Sequence, residues 1–199
     1  MNGKIIISNG IPDVINEITS SDYGSHYSIL YHNLKTLRCM YPHLIRQYLE
    51  VKNDVVLFLP FYDTPEQVRK ILSKNKVDVK KCENIEESLI IMDASKAYFG
   101  SSTDIFSFVA SLTKLARVSS RNGLSIFEDM GPFFYYNKIN DLSKYEVLLS
   151  TSYKPWIKAR AFCLYSKLDY DRLLTKQKKM ISRNHVKEIC MSSSSTSIL

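Results

Sequence analysis

The chain has 199 residues, 45% of them hydrophobic and 24% charged, the make-up of one ordinary globular domain whose core needs no metal or disulfide staple. Its longest apolar run, Val55 to Phe61, falls far short of the roughly 20 residues of a membrane helix, and Met1-Asn2-Gly3-Lys4 does not open a signal peptide. Membrane insertion and export are therefore not expected, and the reading places the protein in the cytoplasm. With 27 basic against 20 acidic residues the net charge is +7, a weak bias toward anionic partners.

Lys4 to Ile7 reads as a short edge strand stopped by Asn9-Gly10, and Val14, Ile15 and Ile18 follow at helical spacing. Residues 1–22 thus form an N-terminal extension of one strand and one helix. His26 to Tyr31 is a β-prone run, and Asn33 after it is placed to cap a helix carrying Leu34, Leu37, Tyr41, Leu44, Ile45, Tyr48 and Leu49. Pro42 predicts a kink there or two consecutive helices. Val55 to Leu59 is apolar at every position, as a strand buried on both faces should be. Thr64-Pro65-Glu66-Gln67 has the layout of a capping box with proline at the first helical position.

Leu89 to Asp93 is a further strand that ends in a carboxylate. Ser102 or Thr103 opens the next helix, with Ile105, Phe108, Val109, Leu112, Leu115 and Ala116 on one face, and Asn122-Gly123 ends it. Gly123 to Gly131 then runs an apolar strand into Glu128, Asp129 and a glycine. Because ligands collect at the carboxyl ends of strands in open α/β sheets, these two acids are expected at the mouth of a site; the plainer alternative is a strand-end turn with solvated carboxylates. Phe133 to Tyr136 reads as a bulky aromatic loop, a core plug or a lid. Asp141 caps a helix with Leu142, Tyr145, Leu148 and Leu149, Ala161 to Tyr165 forms a fifth strand, and Asp169 starts a last helix with Leu173, Leu174 and Ile181 inward. The serine-rich tail, residues 191–199, reads as disordered.

Five strands near residues 26–31, 55–59, 89–93, 124–128 and 161–166, each separated by a helical pattern, predict a mostly parallel sheet with helices on both faces. The cysteines, Cys39, Cys82, Cys163 and Cys190, show no Cys-x-x-Cys and no neighbouring histidine pair, which argues against a zinc site; Cys39 and Cys163 are expected as buried small hydrophobes. No metal or cofactor is expected. The basic run Arg172, Lys176, Lys178, Lys179, Arg183 and Lys187 reads more simply as a solvated helix face than as a nucleic-acid footprint, since no reading motif accompanies it. No glycine lies between Gly24 and Gly100, so the turn after the first core strand, Tyr31-His32-Asn33, lacks the backbone access that phosphate cradling needs. Neither a Gly-x-Ser-x-Gly elbow nor a His-Glu-x-x-His helix is present.

Gly24-Ser25-His26 running to Tyr31, Leu89-Ile90-Ile91-Met92-Asp93-Ala94 with Tyr98 after it, Gly123 to Met130 with Glu128, Cys163-Leu164-Tyr165, and His185 occur in one order. In that order the chain resembles MEDS, the methanogen/methylotroph sensory domain, a relative of the RecA-like and KaiC-like ATPase core, over residues 23–190. Asp129 stands where that pattern carries methionine, Met130 is displaced by one, and no output domain is evident. The resemblance implies a three-layer RecA-like fold that has lost its phosphate loop and works as a non-enzymatic sensory or signal-relay module. His26, Tyr31, Asp93, Glu128, Asp129, Tyr165 and His185 are the expected lining of a ligand pocket at the strand carboxyl ends, with His26 or His185 at its rim. The expected partners are a small-molecule ligand and a signalling protein or second copy of the chain. The alternatives are a degenerate nucleotide-binding enzyme of the RecA/KaiC-like class that uses Glu128, and a DNA- or protein-interaction module using the basic C-terminal helix.

Overall fold

The computed structural model describes residues 4–8, 10–100, 104–154 and 157–191. Three of the segments expected as strands become β2 (His26–Tyr31), β3 (Val55–Leu59) and β5 (Leu124–Asp129), buried at every position. With β1 (Lys4–Ser8), β4 (Leu89–Ile91), β6 (Ala159–Ser166) and β7 (Lys187–Met191) they form one sheet in the order β1-β7-β2-β6-β5-β3-β4. Every pairing is parallel. A parallel sheet leaves no face for solvent, and two apolar layers cover this one.

On one face α1 (Ile11–Thr19), α2 (Leu34–Arg46), α3 (Pro65–Lys74) and α4 (Val79–Asn84) enclose Tyr27, Ile29, Phe58, Phe127 and Phe162. On the other, α5 (Ile105–Val118), α6 (Gly131–Tyr135), α7 (Ile139–Ser152), α8 (Lys167–Asp171) and α9 (Thr175–Asn184) enclose Leu30, Leu57, Ile126, Ala161 and Tyr165. The expected N-terminal extension is an edge strand and a helix of the same layers, because β1 pairs with β7 and Val14 and Ile18 of α1 join the first core.

Local chemistry sets most boundaries. Asn33 accepts from the Thr36 amide at the start of α2, and Thr64 and Gln67 complete the capping box of α3. α2 runs through Pro42 without breaking into two, and a π-helical turn, Gln47–Val51, carries the chain out of it.

Other boundaries differ from expectation. β4 stops at Ile91 rather than at 93, although the Met92 amide still donates to the Phe58 carbonyl. Ser102 and Thr103 lie outside the described residues, and the observed cap of α5 is Asp104, which accepts from the Ser107 amide. α5 ends at Val118, four residues before Asn122, because Ser120 takes a left-handed conformation with φ 58°. The expected aromatic loop is the short helix α6, started by Pro132 in its first turn. α7 begins at Ile139, ahead of Asp141, and the expected last helix is two, α8 and α9, with Leu174 exposed between them. Cys163 is buried, but Cys39 is exposed, because it lies on the outward side of α2. The tail from 192 onward lies outside the described residues.

At the amino-terminal edge of the sheet, a buried ion pair ties three strands and α1 together. Arg160 of β6 donates from Nη2 to Asp54 at 2.9 Å and from Nε to Ser125 of β5 at 3.1 Å, and its Nη1 donates to the Ser21 carbonyl. Tyr23 and Ser125 each donate to Asp54 at 2.5 Å. The guanidinium also lies over the Tyr23 and Tyr48 rings, 4.2 and 4.9 Å from their centroids. Beside it, a Cβ on Gly123 would stand 2.4 Å from the Tyr23 ring and 2.5 Å from the Lys158 carbonyl, so the turn into β5 admits only glycine. Arg160→Met strands Asp54 as an unpaired buried charge and is expected to cost about 3–5 kcal/mol. A urea midpoint giving a loss below about 1 kcal/mol, the size of an exposed pair, would show that the network is not holding this edge.

Candidate functional site

Side chains alternate across a strand, and this single rule separates the two acids at the end of β5. Glu128 points with Ile126 toward the α5–α9 layer, while Asp129 points with Phe127 toward the α1–α4 layer. Both are buried, so they share neither a mouth nor a solvated turn. The expectation that Asp93 converges with them is also not met. Asp93 is partly exposed beyond β4, where its carboxylate accepts from the Lys96 amide at 2.9 Å.

A groove of about 390 Å³ does lie over the carboxyl ends of β2 and β6. Its walls are Tyr31, His32 and Asn33 after β2, Phe61 and Tyr62 after β3, Phe134 and Tyr135 of α6, and Ser166, Leu168, Asp169 and Arg172 around α8. Tyr62 donates to Asp169, and Arg172 pairs with the same carboxylate at 3.4 Å. The Tyr31 hydroxyl has no hydrogen-bond partner there, and burial, reinforced by Asp129, raises its pKa. Asp129 accepts from the Gly131 amide at 2.8 Å. Burial pushes its carboxyl up to about 7, partly offset by the amides of Gly131 and Phe61. A Cβ on Gly131 would come within 2.4 Å of the Phe61 ring, so glycine lets α6 approach the groove wall.

The remaining expected residues meet inside the α5–α9 layer, away from the groove walls. His26 and Cys163 occupy adjacent strands β2 and β6, with His26 Nε2 3.0 Å from Cys163 Sγ. α7 brings Glu146, whose Oε2 is 3.4 Å from His26 Nε2 and 3.4 Å from His185 Nε2. Tyr165 donates to Glu146 Oε1, and Tyr145 donates to Glu128 Oε2 at 2.5 Å. Burial dominates every protonation state in this cluster. It pushes Glu128 up to about 7, which the Tyr145 hydroxyl partly offsets, and Glu146 up to about 8, where Tyr165 is the main offset. It pulls His185 down to about 4 and, with His185 adding to it, takes His26 well below its ordinary value. His26 and His185 therefore lie at the amino ends of their strands, buried in a core, and not at the rim of the groove.

The comparison with solved structures gives the fold. A KaiC-like protein from the hyperthermophilic archaeon Pyrococcus horikoshii OT3 superposes with a TM-score of 0.57 at 11% identity, covering 84% of this chain and 72% of that one. An uncharacterized protein from Pyrococcus horikoshii, solved in complex with an unknown peptide, gives a TM-score of 0.57 at 17% identity, covering 89% and 82%. No family model matches the sequence, and no curated protein matches it. The chain has the RecA-like α/β fold, shared with a KaiC-like protein.

Three residues of these two regions, Glu146, Cys163 and Arg172, carry no distinguishing signal in the sequence. Glu146 was hidden because Tyr145, Leu149 and Leu142 mark its helix simply as amphipathic, and Cys163 because its apolar flanks gave only burial. Arg172 was noted merely as one of several basic residues. No helix among the described residues is long and apolar enough to cross a membrane.

Asp129 makes a pH test available. Its folded pKa of about 7 lies above the ordinary 3.8, so below about 4 both folded and unfolded states hold the proton and it contributes no pH dependence. Between those values the unfolded chain releases the proton while the folded one keeps it, and stability falls as pH rises. Above 7 the loss is complete. The urea midpoint of Asp129→Asn is therefore expected to gain on the unsubstituted protein from pH 4 to 7; a difference constant across that range would contradict the buried, protonated carboxyl.

Proposed function

We propose that the chain is a non-enzymatic sensory or signal-relay domain of the MEDS type, and that a small molecule or a segment of a partner protein occupies the groove over β2 and β6. The observation that carries this reading is the groove itself. It combines aromatic walls, Phe61, Tyr62, Phe134 and Tyr135, with a few polar groups, Asn33, Asp169 and Arg172, and a Tyr31 hydroxyl with no partner in the protein. Mostly apolar walls with a small number of placed polar groups are what small-molecule sites share. The neighbour solved with an unknown peptide makes an extended peptide one occupant worth testing.

The geometry after β2 supports a binding role over a nucleotide-hydrolysing one. Phosphates bind helix N-termini through free amides, but at α2 the Asn33 side chain takes the Thr36 amide for itself at 2.9 Å, and no glycine opens the turn. The competing reading, a degenerate nucleotide-binding enzyme, draws on Glu128, whose carboxyl at about 7 sits in the range of a general base. Glu128 is buried, held by Tyr145, and does not line the groove. A DNA- or protein-interaction role would use Lys176, Lys179 and Arg183, which line a shallow depression on α9; phosphate contacts there would make affinity fall steeply with salt.

Purified protein incubated with ATP and magnesium is expected to show no turnover above the protein-free control and no magnesium-dependent nucleotide affinity. Turnover that disappears in Glu128→Gln would replace the sensory reading with the enzymatic one.

A further inference from the structure

His26, Glu146, Cys163 and His185 come from two strands, a helix and the residue that closes another helix, yet one ligating atom from each lies within 4.8 Å of all the others. We propose that these four side chains bind a single zinc-class divalent cation, as a closed structural site within the core.

The set is two imidazoles, one thiol and one carboxyl, the donor types of tetrahedral zinc. For bond lengths of about 2.0–2.3 Å, neighbouring ligand atoms on a tetrahedron stand about 3.3–3.7 Å apart. Two separations here are both 3.4 Å, from Glu146 Oε2 to each histidine Nε2. Of the other four, His26 Nε2 to Cys163 Sγ at 3.0 Å is a hydrogen-bond distance, which opens by a few tenths of an ångström when a metal takes the place of the thiol proton, and the rest lie within 4.8 Å.

Two atoms facing the centre are otherwise orphaned. Glu146 Oε2 and His185 Nε2 are buried without hydrogen-bond partners, although each lies 3.4 Å from the other. An unpaired buried polar atom is costly, and one cation satisfies both. Outer contacts fix the same orientation. The His185 ring turns Nδ1 to the Ile181 carbonyl at 2.8 Å, which leaves the Nε2 lone pair aimed inward, and Tyr165 donates to the other oxygen of Glu146. Metal-ligating histidines and carboxylates are held in this way.

Charge closes the argument. A thiolate and a carboxylate balance a dication, so the occupied cluster is neutral in a core that tolerates no net charge; binding releases one proton from Cys163 and one from Glu146. A cysteine nucleophile with a histidine base is the other chemistry such residues offer, but Cys163 is 0% and His26 2% exposed, with no path for a substrate. The site is distinct from the groove, since none of its four ligands lines the groove walls.

The test uses the full chain refolded with zinc or with cobalt as its spectroscopic substitute. About one zinc per chain is expected to survive gel filtration, and the cobalt form is expected to show intense tetrahedral d–d bands with a thiolate charge-transfer band. Replacing Cys39, Cys82 and Cys190 together by serine leaves Cys163 as the sole thiol and is expected to keep that band. Cys163→Ser should abolish it, and His185→Gln should weaken zinc retention more than about tenfold. A weak octahedral cobalt spectrum in the unsubstituted chain, or loss of the band in the triple-serine protein while its circular dichroism is native, would overturn the proposal. The triple-serine spectrum decides the matter even where Cys163→Ser does not fold.

Discussion

A parallel sheet buried on both faces is the constraint from which the rest of this molecule follows. No side chain projecting from β2, β3, β5 or β6 toward the middle of either layer meets water, so each polar group placed there must be matched from within the protein. The chain meets this demand in two compact places. Arg160 and Asp54 neutralise one another at the amino-terminal edge, with Tyr23 and Ser125 filling the remaining hydrogen-bonding positions. His26, Glu146, Cys163 and His185 gather inside the α5–α9 layer, where protein groups alone leave Glu146 Oε2, His185 Nε2 and His26 Nδ1 unmatched.

The period of two along β5 then assigns each face its work. Glu128 belongs to the buried polar cluster and its helices, Asp129 to the floor beside the groove. Consecutive acids in a strand therefore act on opposite sides of the sheet. The same alternation puts Tyr31 on the groove side and His26 at the other end of the same strand, among the α7 and α9 side chains. Separation of the two regions means that what happens in the groove and what holds the core can be altered one at a time.

The sequence reveals the architecture through composition of single segments. Val55 to Leu59 is apolar at every position, which only a doubly covered strand requires, and Asn33 and the Thr64 to Gln67 box carry their helix starts in their own side chains. β7 is not expected from the sequence, where Lys187 counts with the basic run of the last helix; in the fold Lys187 pairs with Glu17 and Glu188 accepts from Tyr170 at 2.8 Å. Cys39 illustrates the reverse error, an apolar neighbourhood in sequence that turns outward in space. The absence of Cys-x-x-Cys spacing excluded only metal sites built within one segment. Glu146 and Cys163 meet His26 and His185 through the sheet order, and no local pattern encodes that order. Of the expected pocket lining only Tyr31 borders the groove; Phe61, Tyr62 and Arg172 were not legible as walls, because they lie in turns whose residues show no periodicity.

The central claim is that the carboxyl-end groove is where this RecA-like domain receives its signal. Amide chemical shifts of the isotopically labelled full chain, followed during titration with a library of small aromatic anions and short peptides, test it most directly. The account predicts that ligands which bind move the amides of Tyr31, Asn33, Phe61, Tyr62, Ser166 and Arg172 together and in a saturable way. Saturable shifts confined to α9 around Lys176 and Lys179, with the groove amides unmoved, would contradict it.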